Sequence, residues 1–248
     1  MSKNLSIVLP AFDEQQRLGG TIKQILAYLD ANGIDAELIV VDDGSGDDTA
    51  DVARESAAEF PAIKTNVIRY EENRGKGYAV KIGLQAANGE IALFSDADLS
   101  TPIEEMPKLI EPIRSGEYDI TFGSRAIDRD LIGTHQPWRR EQGGRVMNLI
   151  IKTMSGLKFS DTQCGFKAFN MAKFRPLLNL MTINRFGFDV EFLFVAKHNG
   201  LKLAEIPVRW NDVAGSKVNV LRDTRRMISE LNQIRRNAKQ GKYKTSHE

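Results

Sequence analysis

Ile91-Ala92-Leu93-Phe94-Ser95-Asp96-Ala97-Asp98 is an apolar run that ends in two carboxylates separated by one alanine. Taken as a strand, the run places side chains two apart on one face, so Asp96 and Asp98 leave the sheet together. Like charges at that spacing repel. A hard divalent cation with oxygen ligands removes the cost and leaves coordination positions for phosphate oxygens. The structural alternative is that one aspartate caps the following helix and the other is solvated.

Outward from this stretch the same grammar repeats. Residues 5–9 form an apolar run stopped by Pro10, and Leu18, Ile22, Ile25, Leu26 and Leu29 then recur at helical spacing. Residues 37–41 form a second run closed by Asp42-Asp43-Gly44-Ser45, before a helix over 49–60. A third strand at 66–70 leads to Asn73-Arg74-Gly75-Lys76-Gly77 and another helix. After the Asp-Ala-Asp, Thr101-Pro102-Ile103-Glu104 occupies capping-box positions for a helix, and a fifth strand at 118–122 ends in Gly123-Ser124-Arg125. Apolar strands alternating with helices predict an α/β fold with a mostly parallel sheet covered on both faces. Ligands of such sheets bind at the carboxyl ends of strands. Asp13-Glu14, Asp42-Asp43, Arg74-Gly75-Lys76, Asp96/Asp98 and Arg125 all sit directly after strands, which gathers them into one candidate site.

The second half predicts an amphipathic helix within 139–157, with Val146, Leu149, Ile150, Thr153, Met154 and Leu157 on one face. Asp161-Thr162-Gln163-Cys164-Gly165-Phe166 leads into a strand, 187–198 is an apolar helix, 203–210 a strand and 222–244 a basic helix. A polar tail follows from about residue 237.

The 248 residues, 42% of them hydrophobic, suffice for one large α/β domain. Thirty-four basic against thirty-three acidic residues leave a net charge of +1, so no global field calls for nucleic acid. The single cysteine, Cys164, excludes an intramolecular disulfide and a zinc-type spacing, and fits a cytoplasmic location. No apolar run approaches the ~20 residues of a membrane span, and the start lacks a signal-peptide core. Gly75-Lys76-Gly77 lacks Walker spacing, and Val80 stands where a dinucleotide fingerprint needs its third glycine. Three scattered histidines and no Gly-x-Ser-x-Gly elbow argue against a hydrolase triad.

Leu9-Pro10-Ala11-Phe12-Asp13-Glu14, Val41-Asp42-Asp43-Gly44-Ser45, Asp96-Ala97-Asp98 and Gly123-Ser124-Arg125 together resemble the family-two glycosyltransferases with the A-type fold. Asn73 to Gly77, Asp161 to Lys167, Arg185-Phe186-Gly187-Phe188-Asp189-Val190-Glu191 and Gly215-Ser216-Lys217 are similar to the dolichyl-phosphate glucosyltransferase branch. The resemblance runs from about residue 4 to 236. It implies one domain over 1–236, with a nucleotide-sugar-binding half (1–125), an acceptor half (126–236) and a polar tail (237–248). It further implies that Pro10, Phe12, Glu14, Val41, Asp42 and Asp43 surround base and ribose, with Arg74, Lys76 and Ala97 also on the donor. Asp96 and Asp98 would hold Mg²⁺ or Mn²⁺ against the diphosphate, and Arg125, Arg140 and Lys217 would add positive charge. Singly, Glu14 could cap a helix, Asp42 serve a turn and Arg125 be a surface cation.

Two departures from the related polyprenyl-phosphate mannose synthases stand out. Ser100 occupies the place of a metal-binding glutamine, so that water would complete the shell or the ion sit differently; Asn211-Asp212 occupies that of an arginine, which favours the glucosyl branch. The resemblance implies an inverting, one-step transfer from UDP-glucose to a polyprenyl phosphate at the cytoplasmic face of a membrane. A phosphate acceptor, whose second pKa is about 6, needs no strong base; a hydroxyl acceptor would, and Asp161 is the candidate for base or orienting work. The 139–158 helix, and less directly the C-terminal one, could rest on an anionic membrane surface, or both could simply cover the sheet. The alternatives are GDP-mannose as donor, a soluble hydroxyl acceptor, and a noncatalytic nucleotide-sugar sensor.

Overall fold

The computed structural model describes residues 4–134, 138–213 and 220–244. In chain order the first half alternates β1 (Leu5–Ala11), α1 (Leu18–Ala31), β2 (Ala36–Asp42), α2 (Thr49–Ala58), β3 (Lys64–Arg69), α3 (Lys76–Ala86), β4 (Ile91–Ser95), α4 (Met106–Arg114) and β5 (Ile120–Ser124). The second half carries β6 (Ile132–Thr134), α5 (Trp138–Ser155), β7 (Phe166–Asn170), α6 (Met171–Phe174), α7 (Phe188–His198), β8 (Leu203–Pro207), β9 (Trp210–Asn211) and α8 (Val220–Lys239).

β1, β2, β4 and β5 are buried at every position, which only a sheet covered on both faces allows. Alternation divides their side chains between two cores. Val8, Ile39, Val41 and Phe94 point to the layer containing α3, α7 and α8; Ile7, Leu9, Leu38, Val40 and Leu93 point to the layer of α1 and α4. The seven strands run in the order β3-β2-β1-β4-β7-β5-β8. All neighbours are parallel except β7, which is antiparallel to β4 and β5.

That inserted strand matters for the site. The register sets Ser95, the last residue of β4, opposite Phe166, the first of β7. The segment entering β7 therefore arrives at the same sheet edge where β1, β2 and β4 release their polar residues.

Several local expectations are corrected. Thr101 caps no helix: residues 103–105 form a 3-10 turn without a side-chain cap, and the Thr101 hydroxyl instead lies 3.9 Å from the Cys164 sulfur. The expected strand over 203–210 breaks after Pro207, and Trp210–Asn211 pairs with β6 in a separate two-stranded sheet. The predicted apolar face of α5 is split. Ile151 is buried, with Met147, Ile150 and Met154 packed beside it, whereas Val146 and Leu149 are 59% and 65% exposed. Met147, Ile151 and Met154, four and three apart, form the core-facing row.

In α8, Met227, Leu231 and Ile234 are all buried, so its apolar stripe covers the core. Residue 237, where a polar tail was expected to begin, lies within α8, and beyond the helix Tyr243 is completely buried.

Candidate active site

A cleft of ≈ 290 Å³ opens at the carboxyl ends of β1, β2 and β4 and is lined by Pro10, Phe12, Glu14, Asp43, Lys76, Asp96, Ala97 and Asp98, all expected there from the sequence. Arg17, Asn73, Arg185 and Phe186 join them. Acidic and basic side chains thus face one volume, as recognition of an anion through a cation requires.

Each charged group is held by a specific partner. Lys76, in the first turn of α3, pairs with Asp96 at 2.6 Å. Burial pulls the Lys76 ammonium down, but Asp96 and Asp189 outweigh it and hold its pKa above the ordinary lysine value. Asp96 also rests on backbone: a Cβ added to Gly165 would lie 2.0 Å from Asp96 Oδ2, so only glycine admits the carboxylate there. Asp98 Oδ1 accepts from the Ser100 backbone N–H at 3.0 Å. Arg17 grips Glu14 through both oxygens, with Nη2 to Oε1 at 2.5 Å.

Asp43 is 3% exposed and fixes the loop before α3. It accepts from the Tyr70 hydroxyl at 2.7 Å and from the backbone N–H groups of Arg74 and Gly75 at 2.8 Å each. Gly75 has φ +105°, and a Cβ there would come within 2.5 Å of the Asn184 carbonyl.

Other expected residues are placed elsewhere. Val41 is buried in the core. Asp42 is fully buried, accepting from Ser45 N at 2.9 Å and Oγ at 2.5 Å and lying 3.5 Å from Arg69, so it holds the turn. The Arg74 guanidinium packs on the Tyr78 ring, 5.0 Å from its centroid. The Arg140 side chain and Lys217 lie outside the described residues.

Arg125 and Asp161 line a second cavity of ≈ 300 Å³ with Arg129, Glu141, Arg145 and Trp210. Arg125 binds Asp161 in bidentate fashion, Nε to Oδ2 at 2.6 Å and Nη2 to Oδ1 at 2.8 Å. Burial would raise the Asp161 carboxyl, but the Arg125 charge and hydrogen bonds dominate and hold it below the usual carboxylate range. Glu205 accepts from the backbone N–H groups of Ser160 and Asp161 and from Ser124, anchoring both ends of this pair. The segment from Asp161 to Gly165 thus borders the second cavity at one end and Asp96 at the other. Between them, burial pushes the Cys164 thiol up to about 12, which removes it as a nucleophile.

Could the first cleft hold a metal? Among the described residues no cluster of three or more His, Cys, Asp or Glu side chains is arranged for one. The chain offers the two carboxylates of Asp96 and Asp98. That donor set fits a hard divalent ion completed by phosphate oxygens and water, the usual way Mg²⁺ sits with a nucleotide.

The family model of glycosyl transferase family 2 matches residues 6–178, which run from β1 through β7 and include every residue lining the first cleft except Arg185 and Phe186. The chain belongs to glycosyl transferase family 2. Within this family it is 35% identical over 230 residues to the dolichyl-phosphate beta-glucosyltransferase of Drosophila melanogaster, covering 88% of this chain and 70% of that protein. To the human protein of the same name it is 32% identical over 229 residues, with the same coverages. Among solved structures, glucosyl-3-phosphoglycerate synthase from Mycobacterium tuberculosis with Mn²⁺, UDP-glucose and phosphoglyceric acid superposes with a TM-score of 0.69 at 21% identity, covering 94% of this chain and 79% of that one. The fold is accordingly that of the A-type glycosyltransferases, as the family-two motifs implied.

Family-two membership makes the protein a glycosyltransferase. The residues that sequence reasoning left without a role are Arg17, Gly165, Arg185, Phe186, Arg129, Arg145 and Trp210. Arg185, Phe186 and Gly165 belonged to quoted motifs, but Arg17, Arg129, Arg145 and Trp210 had no distinguishing local pattern.

Proposed function

We propose that this glycosyltransferase moves glucose from UDP-glucose to a polyprenyl phosphate, with inversion, at the cytoplasmic face of a membrane. The observation that carries the proposal is the joint position of Asp96 and Asp98 in the cleft that also contains Pro10, Phe12, Glu14 and Asp43. The likeness to dolichyl-phosphate beta-glucosyltransferases supports the choice of sugar and acceptor.

In this proposal residues 1–125 supply most of the donor site, with Arg185 and Phe186 added from the second half, and residues 126–236 supply most of the acceptor site, with Arg125 added from the first. Asp96 and Asp98 would hold Mg²⁺ or Mn²⁺, which when bound neutralises charge on the departing diphosphate. Lys76, Arg17 and Arg185 bring further positive charge to the same volume, positioning two anionic reactants together. Arg125, Arg129 and Arg145 around the second cavity suit an acceptor phosphate, and Trp210, with Arg125 5.5 Å from its ring, walls that cavity.

Asp161 then acts as the positioning residue for Arg125 rather than as a base, since both its oxygens are engaged. A phosphate nucleophile that is already largely ionised at neutral pH needs no proton removed. The exposed Val146 and Leu149, with Arg145 beside them, suit the headgroup boundary of an anionic bilayer. Among the described residues no helix is long and apolar enough to cross a membrane.

Incubation of the protein and Mn²⁺ with UDP-glucose and a polyprenyl phosphate tests the proposal, with glucose followed into the organic phase. Label that enters only water-soluble products, or that comes from GDP-mannose instead, refutes it.

A further inference from the structure

Arg185 and Phe186 reach the donor cleft from a loop, residues 182–187, that has no regular structure of its own. Its shape is imposed from two sides. In front, the Asn184 carbonyl accepts from the Tyr78 N–H at 3.1 Å, and glycines at 75 and 77 let the loop backbone press on the start of α3. Behind, Glu191 accepts from the backbone N–H groups of Thr182 and Ile183 and from the Thr182 hydroxyl, at 2.7–3.0 Å. Glu230 of α8 accepts from the Gly187 N–H at 2.8 Å.

The back side in turn depends on the end of the chain. Glu191 is fully buried, and its Oε1 accepts from the Tyr243 hydroxyl at 2.5 Å. Asn237 donates to Thr182 Oγ1 at 3.0 Å and to the Tyr243 hydroxyl oxygen at 3.2 Å, and the Tyr243 carbonyl accepts from Asn199 at 2.7 Å. A buried carboxylate is oriented by its donors acting together, and apart from Tyr243 those donors are the N–H and hydroxyl groups of the loop, so removing one loosens the hold on the rest.

We propose that the C-terminal segment is a positioning element for the donor cleft: Tyr243, Asn237 and Glu230 hold loop 182–187 against α3 so that Arg185 and Phe186 stand in the cleft. The inference rests on the donor-binding role proposed for that cleft. It makes Glu230, Asn237 and Tyr243, none of which lines the cleft, determinants of nucleotide affinity.

The test uses the full chain carrying Tyr243→Phe, which keeps the buried ring and removes the hydroxyl, alongside Glu230→Ala, which removes the acceptor of the Gly187 N–H. Two quantities are read: amide hydrogen exchange at 182–187 and at Tyr78, and the Kd of uridine diphosphate with Mn²⁺. Loss of one hydrogen bond to a charged acceptor predicts exchange about tenfold faster at these amides and a Kd raised about tenfold. In an Arg185→Ala background the same substitution should change Kd by less than about twofold, since coupled residues are not additive. Faster exchange confined to 240–244, an unchanged Kd despite a loosened loop, or fully multiplicative effects with Arg185→Ala would each overturn the inference. Wild-type protein that binds no uridine diphosphate would refute the donor role itself, and the exchange measurement then decides the positioning alone. If Tyr243→Phe fails to fold, Glu230→Ala carries the same comparison through the Gly187 amide.

Discussion

Asp161 gives both of its carboxylate oxygens to Arg125, while the backbone N–H of Arg125 adds a third hydrogen bond to the same group at 3.1 Å. A carboxylate so engaged orients a guanidinium; it has no free oxygen with which to take a proton.

Asp161→Asn should therefore lower turnover by about ten- to a hundredfold while the pH–rate profile keeps its shape, because no base is lost. It should also destabilise the fold, on the order of 3 kcal/mol, since the arginine loses its charge partner. Steady-state rates across pH 5.5–9 and denaturant unfolding check both. Disappearance of the acidic limb would assign the base role instead.

Gly165→Ala puts a methyl group where Asp96 Oδ2 now lies, 2.0 Å from the built position. The carboxylate has to move, so Mn²⁺ affinity should fall at least about tenfold, with a far smaller effect on unfolding than a large-to-small core change of 2–5 kcal/mol. Electron paramagnetic resonance titration of free Mn²⁺ reads this without turnover.

Asp96→Asn and Asp98→Asn, singly, should abolish measurable transfer while leaving the circular dichroism spectrum intact, and EDTA should do the same to the wild type reversibly on adding Mn²⁺. The leaving group would then lack its neutralising ion. Unchanged turnover in EDTA would remove the metal from the mechanism.

Acid should unfold the protein through carboxylates held below their ordinary range. Asp119 shows the sign: burial would raise it, but Lys173 at 2.6 Å and the Lys202 N–H outweigh that and lower it. A lowered folded pKa gives stability that is present above the unfolded value of about 4 and is lost as pH falls through the folded one. The unfolding free energy should thus decline below about pH 5, and Asp119→Asn should flatten that slope.

Val146→Glu with Leu149→Glu adds two charges to the exposed row of α5. Binding to anionic vesicles and transfer to a polyprenyl phosphate should drop together, while uridine diphosphate affinity stays within about twofold. Sedimentation with vesicles of phosphatidylglycerol measures the first.

Much of this was legible in the chain. Local periodicity marks β1, β2, β4 and β5, and the rule that ligands meet strand carboxyl ends groups Pro10, Phe12, Glu14, Asp43, Lys76, Asp96 and Asp98, which line one cleft in the structure. Long-range pairing was not legible. Nothing in Phe166–Asn170 announces that it inserts antiparallel between β4 and β5, because register across some seventy residues leaves no local pattern. The Arg125–Asp161 clasp was hidden for the same reason, and so was the division of α5, where seven apolar side chains exceed what one narrow stripe can bury. Asp42 and Val41 illustrate another limit: neighbours of a site residue share its motif while their side chains point into a turn or a core.

The place of β7 also governs how the molecule is made. β5 has only β7 and β8 for neighbours, and both are encoded after residue 165. A nascent chain emerging from the ribosome must carry the unpaired edges of β4 and β5 until β7 follows some forty residues after β5, and the second edge of β5 until β8 follows some eighty residues after it. Separating the gene at codon 125 would yield a fragment with β5 unpaired and prone to edge-to-edge association, so residues 1–125 should not fold when expressed without the rest of the chain.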